Sequence, residues 1–320
     1  MPWGNRATSV QIISHDTNGN IWFFQQIDGQ TAWSAPQLVA NIPPGDPESE
    51  TAPQIAWTGV PGHAGTNSVI TAESNSGVVF FYQNGGGWTE QTVATSSATN
   101  PYYFPRITAT DRGIVIMALG PGSDFYSWYQ PYGGSGWQSD GSIGASPGQW
   151  FGDMSVTWDG TNVDVAASFN DGASGPDAID PDKLMLLWKS DRASSWSEEA
   201  LPRTSSAEPL AGFTPGIAFT GFNLVLTEVQ WTSITPSDES LDYWWQGTTF
   251  TNFNFQQVSS TAGSNEFSPA SIVSTHSASS PGEVAIVAPF TTNHYQTTGL
   301  YDWTQPTGGS GWTMQVVTPP

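Results

Sequence analysis

Short segments in which apolar and polar residues alternate recur along the whole chain, and this alternation predicts half-buried β-strands. Glycine-rich turns separate the segments. Two of these turns, Gln130-Pro-Tyr-Gly-Gly-Ser-Gly-Trp137 and Gln305-Pro-Thr-Gly-Gly-Ser-Gly-Trp312, differ at one position of eight, and Gln83-Asn-Gly-Gly-Gly-Trp88 is a looser copy. Such self-similarity predicts a small supersecondary unit that is stacked on itself.

The repeated unit aligns on a strand that ends in glutamine, with serine in the fourth copy. The strand copies span residues 21–26, 78–83, 125–130, 185–190, 241–246 and 300–305. Two residues before the last position each copy has an aromatic ring: Phe24, Phe81, Trp128, Trp188, Trp244 and Trp303. A second ring opens the next strand: Trp33, Trp88, Trp137, Trp196, Phe253 (or Phe250) and Trp312. We predict that both sets of rings fill the wedges between neighbouring units.

The fold class predicted by this repeat is all-β, a six-bladed β-propeller with four-stranded antiparallel blades. The alternative, a two-sheet sandwich, does not explain six matching copies. We expect a single domain over residues 1–320, with an incomplete first blade that is closed by a short strand near residues 1–5 or by side-chain packing alone. The blades span approximately residues 1–42, 52–96, 103–147, 152–203, 210–260 and 267–320.

Composition narrows the classes of partner. Aromatic residues make up 13% of the chain, with 16 Trp, whereas charged residues make up 11%, so rings build much of the core. The net charge of −21 disfavours nucleic acids and anionic membranes and favours neutral partners. The absence of cysteine excludes disulfides, thiolate metal sites and a cysteine nucleophile.

The same composition is typical of extracellular proteins, although the first residues do not form an export signal. No apolar run reaches the length of a membrane span. Association into oligomers is compatible with these features.

Metal and catalytic chemistry have weaker support in the sequence. Carboxylates of the 171–183 loop could bind Ca²⁺, but their spacing fits no known calcium motif, so we expect a solvated acidic loop and no cofactor. These residues are Asp171, Asp177, Asp180 and Asp182.

One alternative function is an extracellular glycosidase or polysaccharide lyase that uses carboxylates near the propeller axis. The carboxylates on predicted strands are Glu73, Asp164, Glu228 and Asp242. A further alternative is a protein-binding scaffold.

Carbohydrate binding has the better support, because sugars stack on exposed rings and their hydroxyls donate and accept hydrogen bonds with short polar groups. Two sets of rings vary between the blades. The first set lies near the end of the first strand with polar neighbours: Trp57 with Thr58, Trp158 with Asp159, and Phe219 with Thr220. The second set lies just before the repeated glutamine, on the face opposite the core ring: Tyr82, Tyr129 and Trp245. Either set could form the stacking platform.

A family resemblance supports this interpretation. The segment Asp16-Thr-Asn-Gly-Asn-Ile-Trp-Phe-Phe-Gln-Gln, followed by Trp33-Ser-Ala-Pro-Gln-Leu-Val, resembles the repeats of bacterial PLL-type and tectonin-like β-propeller lectins. The resemblance implies several shallow sugar sites at or between blades, often for fucose or for methylated and N-acetylated sugars. The PLL-type group typically has seven blades. The chain also lacks the repeated Arg and Glu set by which six-bladed fungal lectins hold fucose. The sequence therefore predicts a non-enzymatic, multivalent lectin for neutral glycans.

Overall fold

The computed structural model describes 18 stretches of the chain. These are residues 9–16, 18–27, 34–42, 53–58, 68–84, 87–97, 99–170, 183–190, 193, 195–201, 210–231, 239–247, 252–260, 266–267, 270–277, 280–292, 296–306 and 311–317. The chain forms two compact units, Met1–Ile143 and Gly144–Pro320, and each unit contains three consecutive antiparallel sheets.

The first unit contains sheets 1 to 3. Sheet 1 has three described strands, β1 (Ser9–His15), β2 (Asn20–Ile27) and β3 (Gln37–Asn41). Sheet 2 has β4 (Gln54–Trp57), β5 (Ser68–Ser74), β6 (Gly77–Asn84) and β7 (Gly87–Thr95). Sheet 3 has β8 (Tyr103–Ala109), β9 (Gly113–Leu119), β10 (Phe125–Pro131) and β11 (Gln138–Ile143), with a short 3-10 helix (Pro121–Ser123) before β10.

The second unit contains sheets 4 to 6. Sheet 4 has β12 (Trp150–Trp158), β13 (Asn162–Asn170), β14 (Lys183–Ser190) and β15 (Ser197–Ala200). Sheet 5 has β16 (Leu210–Phe219), β17 (Leu224–Trp231), β18 (Glu239–Gln246) and β19 (Phe253–Ser260). In sheet 6, β20 (Glu266–Phe267) and β21 (Ser271–Ser277) both pair with β22 (Ser280–Thr292), which is followed by β23 (Gln296–Pro306) and β24 (Thr313–Val317).

These six sheets confirm the predicted fold class, a six-bladed β-propeller, and sheet 1 is consistent with an incomplete first blade. Residues 1–8, where we expected a closing strand, lie outside the described residues, as does the predicted ring Trp33. The 171–182 loop with its four aspartates also lies outside them.

Pairing register gives each sheet two distinct faces, because successive side chains of a strand point to opposite sides. One face carries the core ring, paired across strands with branched aliphatic residues; we call it the ring face. In four sheets the paired triplets on this face are Ile55–Ile70–Phe81, Ile107–Ile116–Trp128, Ile217–Leu226–Trp244 and Ile272–Ile286–Trp303. We call the opposite face the cleft face.

The fourth sheet corrects one sequence alignment. Its equivalent triplet is Val156–Val165–Leu187, so the buried Leu187 and not Trp188 holds the core-ring position. Trp188 lies one residue further, on the cleft face. The sequence alignment placed Trp188 with the core rings because both neighbouring positions are large and apolar, and a slip of one residue exchanges the two faces.

Rings of neighbouring sheets meet edge to face, and tryptophans of the second predicted set take part in these contacts. The contacts are Phe23 with Trp88 at 5.3 Å, Phe80 with Trp137 at 5.1 Å, and Tyr243 with Trp312 at 5.0 Å between ring centroids. In each pair the first ring lies on the cleft face of one sheet, and the tryptophan lies at or just before the start of the last strand of the next sheet. The rings therefore fill the wedge between sheets with the T-shaped geometry that aromatic pairs prefer.

Candidate functional site

A cavity of about 460 Å³ lies between sheets 2 and 3. Phe80, whose ring contacts Trp137, is one of its lining residues, and we call this cavity the 2–3 cleft. No lining residue carries a formal charge. The lining residues are Thr58, Val69, Phe80, Tyr82, Gln91, Ile114, Gln130, Pro131, Tyr132, Gly133, Gly134 and Ser135.

Two side-chain amides connect the walls of the cleft. Gln130 Nε2 of sheet 3 donates to Gln91 Oε1 of sheet 2 at 3.0 Å, and Gln91 Nε2 donates to the Ser135 carbonyl at 3.0 Å. Gln130 is buried, so its amide is fixed in place by packing as well as by this hydrogen bond. The repeated glutamine thus presents an oriented amide to the cleft.

Tyr132 contributes a ring and a hydroxyl at the rim. Its hydroxyl donates to the Thr110 carbonyl at 2.9 Å. The pKa of Tyr132 is raised to about 12, mainly by burial and to a smaller extent by the neighbouring Tyr129 and Asp111. The hydroxyl therefore stays protonated at neutral pH. Tyr132 is also the one position at which the two best copies of the turn differ, since Thr307 occupies it in the last copy.

The turn that carries Tyr132 depends on its glycines. Gly133 has φ of +73°, a left-handed conformation that glycine adopts without steric cost. The amide of Gly134 donates to the Pro131 carbonyl at 2.8 Å, and a Cβ at Gly134 would lie 2.9 Å from that carbonyl oxygen. The Gly-Gly pair therefore allows the tight reversal that places Tyr132 beside the cleft.

The structure places two of the sequence-predicted residues, Thr58 and Tyr82, in the 2–3 cleft. Trp57 is 45% exposed, but its strand position assigns it to the ring face of sheet 2, away from the cleft. Trp158 and Phe219 hold the equivalent position in sheets 4 and 5, and Phe219 packs against the core between these sheets. The two sets of candidate rings thus lie on opposite faces.

Three polar residues at this hairpin cap the turn. The Asp159 carboxylate accepts from the amides of Thr161 and Asn162 and from Asn162 Nδ2. The buried Thr220 hydroxyl accepts from the amides of Phe222 and Asn223, and Thr110 makes the same contacts in sheet 3. These contacts explain why a short oxygen-bearing side chain recurs here, and ligand binding by Asp159 and Thr220 stays a prediction.

The second set of rings occupies one repeated position on the cleft face. The paired triplets are Ala56–Val69–Tyr82, Thr108–Val115–Tyr129 and Ala218–Val225–Trp245. The structure adds Trp188, through Thr157–Asp164–Trp188. Sheet 5 also repeats the polar residues of sheet 2, because Thr220 and Gln256 hold the positions of Thr58 and Gln91.

Gln91, Gln130 and Tyr132 line the cleft but are not among the ligand-binding residues predicted from the sequence. The glutamine was treated as part of the structural repeat, and Gln91 lies in a strand without any repeated signature. The variable position of the turn, Tyr132 against Thr307, was a signal in the sequence that could have identified this residue.

Among the candidate carboxylates, the structure pairs Glu228 with Asp242 across β17 and β18. Both are buried, and the Ser240 hydroxyl donates to Asp242 at 3.1 Å. Glu73 lies in sheet 2 of the other unit. Within the described stretches, no group of three or more His, Cys, Asp or Glu is placed to hold a metal ion. No helix in those stretches is long and apolar enough to cross a membrane.

Sequence comparison gives no relative, since neither a protein-family model nor a curated protein matches the chain. Solved structures show the fold. The SapL1 lectin, in complex with alpha methyl fucoside, superposes with a TM-score of 0.58 at 11% identity over 98% of this chain and 94% of that chain. The fungal lectin of Aleuria aurantia, described as a six-bladed β-propeller with a novel fucose recognition mode, has a TM-score of 0.57 at 13% identity over 97% and 92%.

An enzyme shares the same fold. The α-L-arabinofuranosidase Arb93A of Fusarium graminearum, in complex with an iminosugar inhibitor, has a TM-score of 0.55 at 13% identity over 97% of this chain and 86% of that chain. Identities this low show the six-bladed propeller and nothing finer. The PLL-type or tectonin-like assignment stays a prediction.

Proposed function

We propose that this protein is a carbohydrate-binding lectin that binds neutral glycans in the 2–3 cleft. The observation that carries the proposal is a cleft lining without formal charge that combines the rings of Tyr82 and Tyr132 with the amides of Gln91 and Gln130. Rings bind the C–H face of a sugar and amides bind its hydroxyls, whereas charged ligands would find no counter-charge.

The electrostatics of the whole chain agree with a neutral ligand. With 28 acidic and seven basic residues, the surface repels anionic glycans at long range. The fold comparison adds that the SapL1 lectin is described in complex with alpha methyl fucoside and the Aleuria aurantia lectin with a fucose recognition mode. Fucosides are therefore the first sugars to test.

We further propose that the protein is multivalent. Sheet 5 presents Thr220, Val225, Trp245 and Gln256 at the positions of Thr58, Val69, Tyr82 and Gln91. The next sheet supplies Gln305 at the position of Gln130. Two equivalent sites of modest affinity would give an avidity toward a glycan-coated surface that exceeds the affinity of either site.

The test is a glycan array followed by calorimetry with the neutral sugars that respond. Gln130→Glu places a carboxylate in the charge-free cleft at nearly constant size, and we expect the affinity of that cleft to fall by about tenfold or more. Tyr103→Ala removes an exposed ring elsewhere in sheet 3 and should leave binding unchanged. No response to any neutral glycan, or equal affinity in Gln130→Glu and wild type, would refute the proposal.

A further inference from the structure

On the cleft face, sheet 4 differs from sheets 2 and 5 at the three positions that surround the aromatic ring. Sheets 2 and 5 share Thr, Val, an aromatic ring and Gln at these positions. Sheet 4 has Asp159, Asp164, Trp188 and Glu199 instead. Three neutral residues are thus replaced by acids while the ring is kept, and we call this set the acidic row.

Asp164 is the most unusual member of the acidic row. It is 0% exposed, and both of its carboxylate oxygens are buried without a hydrogen-bond partner. Burying an unpaired carboxylate is among the costliest substitutions in a protein interior, and the sister sheets 2, 3 and 5 have valine here. Buried polar atoms without a partner require a specific explanation.

The acidic row faces sheet 5, because Ala166, Leu184 and Leu186 of the same face pack against Leu224 and Leu226. Its counterpart Val69 lines the 2–3 cleft although it is only 2% exposed. A buried side chain at this position can therefore belong to a ligand cleft.

The charged groups described on the facing sides of sheets 4 and 5 are acidic. On its own sheet these are Asp159, whose carboxylate is held by the turn, and Glu199, whose Oε2 atom is buried without a partner. From sheet 5, Glu228 and Asp242 lie on the side that packs against sheet 4. Lys189 belongs to the other face of sheet 4, with its Nζ atom 5.3 Å from the Trp196 ring.

We propose that the cleft face of sheet 4 binds an amino sugar, whose ammonium group is held at Asp164 and whose ring packs on Trp188. An ammonium group supplies both the positive charge and the hydrogen-bond donors that this carboxylate lacks. The carboxylates of the described residues do not converge as a metal cage, which favours a monovalent organic cation. The sugar part of this inference rests on the proposed lectin function, but the site is separate from the 2–3 cleft.

Binding at this site is coupled to proton release. The pKa of Asp164 is raised to about 9, mainly by burial and to a smaller extent by the negative charge of Asp159. In the free protein this carboxyl is therefore protonated at neutral pH. An incoming ammonium group favours the ionised form. The proton leaves to solvent, and no covalent step is involved.

The experiment compares oligomers of glucosamine with the same oligomers fully N-acetylated, by calorimetry on the whole protein in two buffers of different ionisation enthalpy. We expect the amine form alone to bind in the acidic row, with release of about one proton per site at pH 7. Asp164→Val installs the residue of the sister sheets and should weaken amine binding by about tenfold or more. Asp111→Asn, which removes an exposed carboxylate of the first unit, is the matched control and should leave amine binding unchanged.

The outcomes separate this inference from the proposed lectin function. Amine binding that survives Asp164→Val, or no amine binding at all, would overturn the amino-sugar site. Neutral glycan binding that is lost in Gln130→Glu would still support the 2–3 cleft in each of those cases. Amine binding that depends on Asp164, with no response to neutral glycans, would support the acidic row and refute the proposed function of the 2–3 cleft.

Discussion

Replacement of Asp164 by valine should stabilise the protein increasingly as the pH rises. The pKa of this carboxyl rises from 3.8 to about 9 on folding. Between these values the unfolded chain is ionised while the folded chain keeps the proton, so the folded state loses stability as pH increases. The slope is about 1.4 kcal/mol per pH unit, which amounts to as much as about 4 kcal/mol between pH 5 and pH 8.

The assay is denaturant unfolding of wild type and Asp164→Val at several pH values from 4 to 9. The difference in free energy of unfolding between the two proteins isolates the contribution of Asp164. Asp111→Asn serves as the control, because this exposed carboxylate lies 3.9 Å from the Arg112 guanidinium and should change stability by less than about 0.5 kcal/mol at each pH. A stability difference that stays constant across this range would mean that folding does not raise the pKa of Asp164.

Three further predictions concern packing, backbone and the rim of the cleft. Trp128→Ala should lower the free energy of unfolding by about 3–5 kcal/mol, because it leaves a ring-sized cavity. Trp57→Ala removes an exposed ring and should cost less than about 1 kcal/mol. Equal losses would contradict the burial of Trp128. Gly77→Ala should destabilise the protein by about 1–3 kcal/mol, because Gly77 has φ of +130° and a Cβ there would lie 2.0 Å from the Ala94 carbonyl oxygen. An unchanged melting temperature would argue against this geometry. Tyr132→Phe should cost about 0.5–1.5 kcal/mol through the lost hydrogen bond to Thr110, yet calorimetry should show glycan binding closer to wild type than in Tyr132→Ala.

The repeat in the sequence was sufficient to predict the six blades. Glutamine and ring two residues apart marked the third strand in five of the six predicted blades, and the cassette from Gln130 to Trp137 marked the turn that follows. The wedge-filling role of Trp88, Trp137 and Trp312 also follows from their repetition. These features could be predicted because each is a local pattern that the chain repeats.

The cleft depends on contacts that a strand pattern does not contain. Gln91 and Gln130 meet from two different sheets, 39 residues apart in the chain. In sheet 4 both Leu187 and Trp188 are large and apolar, so the alternation of apolar and polar residues does not show which of them faces the core. Trp188 was therefore assigned to the wrong face of the strand. Asp164 was recognised as a strand carboxylate, but its valine counterparts became visible only when the pairing register was known.

The tryptophans that begin the last strands have a consequence for how this chain can vary. The indole nitrogens of Trp88, Trp137, Trp196 and Trp312 are buried without a hydrogen-bond partner, and Phe253 occupies the same position in sheet 5. These side chains pack through the hydrocarbon surface of the ring, and the indole N–H makes no hydrogen bond. Phenylalanine should therefore be an acceptable replacement at each of the four positions. The fold requires a flat aromatic ring there, but it does not require the indole nitrogen.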